Sequence, residues 1–149
     1  VFLALADMAP ARAASAPCPR FEIALVRTNA SAETRPVHWN GRTIHVDQTP
    51  IIAMDDITEA KLGDPDSLQA EALQLKFRPD AAARLEHITA DPKGVRVATV
   101  LDDVALLNVF FSGGYGVGPQ GMQISPGDPD TVKGLPETIN RCSAAIAAR

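Results

Sequence analysis

Apolar and polar positions alternate with a period of two over Phe21–Arg27, where Phe21, Ile23 and Leu25 interleave with Glu22, Ala24 and Val26. This spacing predicts a strand with one well-buried face. A strand pair is predicted over residues 37–44, because Asn40-Gly41 supplies the two positive-φ positions that a type I′ hairpin turn requires. In that register Val37 faces Ile44 and Trp39 faces Arg42, an arrangement suited to a cation–π contact at the hairpin tip. Asp56-Ile57-Thr58-Glu59 has the form of a capping box and predicts a short helix ending near Gly63. Leu73–Arg78 alternates again and predicts another one-sided strand. Asp80 is placed to cap a helix whose apolar positions Ala81, Leu85 and Ile88 recur at helical spacing.

Val95–Leu101 and Val104–Phe111, turned by Asp102-Asp103, predict a second hairpin whose nearly continuous apolar content suits the centre of a sheet. A glycine-rich loop over residues 112–121 follows, then a brief strand at Met122–Ile124. A last helix is expected with Asp128 as N-cap and Pro129 at its first position. Its apolar positions Val132, Leu135, Ile139, Cys142 and Ile146 follow helical periodicity, and Pro136 should kink or delay it. The resulting fold expectation is α+β: a mostly antiparallel sheet of two hairpins plus extra strands, packed on two to three helices.

Length changes this picture little, since 149 residues suit one domain with one core. The first 17 residues are a different matter. Val1–Ala6 followed by the Ala/Pro/Ser-rich stretch 9–17 reads as the tail of a secretory signal peptide, the alternative being a disordered N-terminal extension. Residues 18–149 are then the domain, located in the periplasm or secreted. Cys18 and Cys142 are the only cysteines, and an exported domain with an even count is expected to pair them. Such a bridge closes a loop of more than 100 residues, for which chain entropy gives roughly 4–5 kcal/mol. A net charge of −4 with no run of Lys/Arg argues against nucleic acid as a partner. The apolar stretch Val104–Phe111, interrupted by Asn108, falls well short of a membrane span, which needs about 20 residues.

Candidate chemistry is sparse. His38, His45 and His87 lack the spacing of metal ligands, so no metal or cofactor is expected. No serine lies in a nucleophile-elbow context. Gly116, Gly118 and Gly121 match a dinucleotide fingerprint only as a pattern, because Pro119 interrupts it and a strand follows instead of a helix. Asp47, Asp102 and His45 near strand ends leave room for a small hydrolase, and that is the alternative to a binding role. Phe110, Phe111 and Tyr115 bring aromatic bulk to the end of a strand and the start of the glycine-rich loop, where a partner could be met, although alternate members could equally fill the core.

The order of these elements carries a family resemblance. The segment TIHVDQTPIIAMDDITEA, Thr43–Ala60, resembles the D-x-x-P-[VI]-[IL]-x-x-x-D-I-x-x-A segment of the SecD/SecDF P1 head subdomain. The strand and helix of Leu73–Thr89, the strand GVRVATVLD of Gly94–Asp102, and Met122–Ser125 before the last helix resemble later segments of that subdomain in the same order. The resemblance spans roughly residues 43–145. It implies a head domain of the cell envelope that handles polypeptides, standing without the membrane helices of the translocon. The function expected is therefore non-catalytic: an exported domain binding a polypeptide or envelope protein through a sheet edge or the aromatic region around Phe110–Tyr115.

Overall fold

A computed structural model describes residues 17–63, 72–112, 121–125 and 129–148. In chain order these form β1 (Phe21–Arg27), β2 (Thr34–Trp39), β3 (Arg42–Asp47), a 3-10 turn (Met54–Asp56), β4 (Ile57–Leu62), β5 (Leu73–Phe77), α1 (Pro79–Thr89), β6 (Val95–Leu101), β7 (Val104–Phe111), β8 (Met122–Ile124), a second 3-10 turn (Pro129–Val132) and α2 (Leu135–Ala147). Five strands close into a barrel in the order β1-β3-β2-β7-β6, and β4-β5-β8 make a separate three-stranded sheet.

This corrects the expected architecture. Both hairpins are present, β2–β3 in the anticipated register and β6–β7 beside it. They do not lie in one antiparallel sheet on two to three helices. β1 pairs along Phe21–Leu25 with β6 and then, at Val26 and Arg27, with β3, while β2 meets β7 in parallel at His38–Val104. A strand shared between two hairpins curls them into a closed, mixed barrel, and two α-helices are found among the described residues.

The interior of so small a barrel admits only small side chains. It is filled by Ala24, Val37, Val46, Ala98, Val100 and Ala105. The opposite faces of β1 and β6 contribute Phe21, Ile23 and Val97 to a larger core with Ile57, Leu73, Leu75, Leu85, Ile124 and Ile139. β1 is thus buried on both faces over Phe21–Ala24, not on one. Glu22 shares that burial at 3% exposure. Its carboxylate accepts from Arg35 Nη2 at 2.6 Å and from Arg20 Nε at 3.0 Å. Arg35 also donates to the Asp102 carbonyl at 3.0 Å, so the ionic cluster closes one end of the barrel.

Local chemistry explains where the elements begin and end. Asn40 and Gly41 take φ of 47° and 74°, as the turn requires, and Asp102 takes φ of 52° in the β6–β7 turn. The segment expected as a helix from Asp56 is instead β4. The Asp56 carboxylate accepts from Ala53 N at 2.9 Å to close the 3-10 turn and from Arg84 Nη2 at 3.1 Å on α1, while Glu59 pairs with Lys76 at 3.4 Å. α1 starts at Pro79 with Arg78 before it, so Asp80 lies inside the first turn and is not the cap. Asp128 lies outside the described residues. α2 starts after Gly134, with Pro136 in its first turn, the delay that Pro136 predicts.

α2 is fixed to the rest in two ways. Asn140 accepts from Ala60 N and donates to Ala60 O, both at 2.8 Å, and the Ser143 hydroxyl donates to Ile57 O. The outer edge of β4 is therefore occupied by helix side chains where a further strand would bind. Cys142, fully buried, forms a disulfide with Cys18 across 124 residues of sequence. No helix among the described residues is long and apolar enough to cross a membrane.

Candidate functional site

The register that sets Leu25 opposite Val97 would, if continued, set Val26 opposite Arg96 and Arg27 opposite Val95. It is not continued, because β1 leaves β6 there for β3. Arg27 holds this departure: its Nε and Nη2 donate to the two Asp47 oxygens at 2.8 and 2.9 Å. That hydrogen-bonded carboxylate raises the guanidinium pKa above its ordinary value, against a smaller opposing effect of burial. The two strands fork, and a groove of about 940 Å³ opens between them, bounded on its far side by the C-terminal end of α1 and the turn after it.

The groove is lined by Leu25–Thr28 of β1, by His87, Ile88 and the following turn, and by Gly94–Arg96 and Phe110 of the second hairpin. Phe110 pairs with Arg96 across that hairpin and is 51% exposed. The ring is held from two sides. Arg96 lies over it with the guanidinium carbon 5.6 Å from the ring centroid, and Gly94, at φ of 86°, leaves space that a Cβ would fill at 2.3 Å from the ring. This is the cation–π pair found among the described residues; the expected Trp39–Arg42 stack is not observed.

Of the three aromatic candidates, Phe110 reaches the groove. Phe111 turns the other way and packs, half-buried, against the larger core. Tyr115, with residues 113–120 of the glycine-rich loop, lies outside the described residues. Sequence reasoning did not pick out Arg96, Gly94 or Arg27. For Arg96 a signal existed, since a hairpin turned at Asp102-Asp103 places it opposite Phe110; the forking of β1 had none.

A second feature adjoins the groove. β2 and β7 pair only where one ends and the other begins, with His38 N donating to Asp103 O at 2.8 Å. Past that point β7 continues to Phe111 with β6 on one side, and no described strand pairs with its other edge. Val104–Phe111 carries neither a charge nor a proline that would discourage strand addition.

Asp47, Asp102 and His45 have other tasks. Asp47 is committed to Arg27, and Asp102 Oδ1 accepts from Arg20 N at 2.9 Å. His45 sits mid-strand in β3, opposite Pro36 and Arg27. Among the described residues no group of His, Cys, Asp and Glu gathers in a way that could hold a metal.

The fold is similar to that of solved SecDF structures. One is the crystal structure of SecDF in its super-membrane-facing form, with a TM-score of 0.60 and 14% identity over 82% of this chain and 18% of that one. Another is SecDF as a membrane component that enhances protein export, with a TM-score of 0.56 and 15% identity over 83% of this chain and 62% of that one. This chain spans less than two-thirds of either, and at these identities the likeness is one of fold. No protein-family model and no curated protein matches the chain.

Proposed function

We propose that this domain is a non-catalytic binding module of the cell envelope that takes up an extended stretch of polypeptide, in a role related to protein export. The observation that carries this reading is the fork between β1 and β6. It presents strand edges at Val26–Arg27 and Val95–Arg96 that do not pair with each other, beside a half-exposed aromatic ring. Strand addition suits such a place, because main-chain hydrogen bonds give affinity without demanding a particular sequence, while the side chains around the cleft give selectivity. The edge of β7 beyond its contact with β2, which pairs with no strand among the described residues, offers the same chemistry next to it. The similarity of fold to SecDF, and the segments resembling its P1 head subdomain, are in keeping with an envelope location and a polypeptide partner.

Backbone amide mapping by NMR, with an unfolded envelope protein and the same protein folded as titrants, tests the proposal. The unfolded form should shift amides of Val26–Thr28, Gly94–Arg96 and Leu106–Phe111, and Phe110→Ala should weaken binding by about 1 kcal/mol or more, the usual scale for a buried interface aromatic. Equal response to the folded form, or shifts confined to other surfaces, would refute it.

A further inference from the structure

The groove sets guanidinium groups into the wall of a negatively charged molecule. The whole chain has a net charge of −4, and the charged side chains lining the groove are those of Arg27, Arg96 and Asp91. Arg27 is already saturated by Asp47, and Asp91 Oδ1 accepts from Lys93 N at 2.9 Å in the turn after α1. Arg96 is different. Among the described residues it has no carboxylate partner, and its side chain meets the Phe110 ring and makes a long hydrogen bond to Asn108 Oδ1 at 3.4 Å. The exposed guanidinium sits over the ring at the wall of the groove and keeps N–H donors beyond the one given to Asn108.

A guanidinium in this position can donate to both oxygens of a carboxylate, and Phe110 beside it offers an apolar face to the neighbouring residue of the bound chain. We infer that the groove selects acidic extended segments, a Glu or Asp of the bound strand meeting Arg96 while an adjacent apolar side chain covers Phe110. The inference rests on the proposed uptake of extended polypeptide and names the class of segment taken.

The test uses the whole chain and three fluorescein-labelled, strand-prone 12-residue peptides of identical apolar content that carry Glu, Gln or Lys at two alternate positions. The field of the whole molecule favours the Lys peptide, so a preference for Glu can only come from a local site. Anisotropy titrations should rank Glu above Gln above Lys, with Glu over Gln by about 3- to 10-fold, the range for a partly exposed charge-assisted bond. Arg96→Gln should abolish that preference at an unchanged melting temperature, Arg96→Lys should keep part of it, and raising salt on the unaltered protein should erode it. Equal binding of the Glu and Gln peptides, or a preference for Lys, overturns the acidic selectivity and leaves the uptake of extended chain standing. Failure of all three peptides to bind overturns both.

Discussion

Two glycines at positive φ separate a residue needed for a surface from one needed for the core. At Gly94 a Cβ would meet the outer atoms of the Phe110 ring, which can swing into solvent; at Gly121 it would meet the Leu75 carbonyl at 2.1 Å, which cannot. Gly94→Ala should therefore cost about 1–2 kcal/mol in denaturant unfolding, mostly the strain of a left-handed alanine, and should displace the ring and with it the Arg96 stack. Gly121→Ala should cost more, since backbone has to move as well. Glu22 is the other residue whose removal should be felt. Glu22→Gln takes from Arg35 its buried counter-charge and leaves it only the exposed Asp103 at 3.7 Å, and a loss of about 1–3 kcal/mol is expected in urea titrations, with a melting temperature lowered accordingly. Glu22 was not legible beforehand as a buried ion, because in a strand of alternating pattern it occupies what reads as the solvent side. Only closure of the barrel turns that side inward.

At the level of elements, β4 shows why local pattern and final structure part company. Ile57 and Ala60, three apart and both buried, fit a helical face, and the capping-box residues reinforce that reading. A bulge between Ile57 and Glu59 shifts the alternation by one residue, so the same spacing puts both side chains on one face of a strand. Pairing with β5 on one side and with Asn140 and Ser143 on the other then outweighs the weak helical propensity of a six-residue segment. The two hairpins, by contrast, were legible, because Asn40-Gly41 and the paired apolar runs encode them locally. The parallel β2–β7 contact was not, since one residue pair leaves no periodic trace. Asn140→Ala removes both bonds to Ala60 and should destabilise the protein by about 1–3 kcal/mol in chemical unfolding; faster amide exchange at Ala60 would localise the loss to the β4 edge.

For the whole molecule, the candidate groove arises where the barrel fails to stay closed along its length, and no single segment contains it. Its walls come from β1, α1 and the β6–β7 hairpin, and their meeting depends on where β1 changes partners. That is why Phe110, which lines the groove, could be picked out from the chain alone as an aromatic of interest and its surroundings could not. Stability at this scale leans on the covalent link as well. Cys18→Ala with Cys142→Ala should lower the unfolding free energy by about 2–5 kcal/mol, read from paired denaturation curves, as loop closure over 124 residues implies.

The same link decides how the domain answers to mechanical load. Cys18 stands just ahead of the first strand and Cys142 lies within the last helix, so traction on the two ends passes from sulfur to sulfur and leaves both cores unstressed. Stretched in an optical trap under oxidising conditions, the domain should surrender almost no contour length. With dithiothreitol present it should release on the order of 400 Å, the extended reach of the 124-residue span it had kept out of the force path.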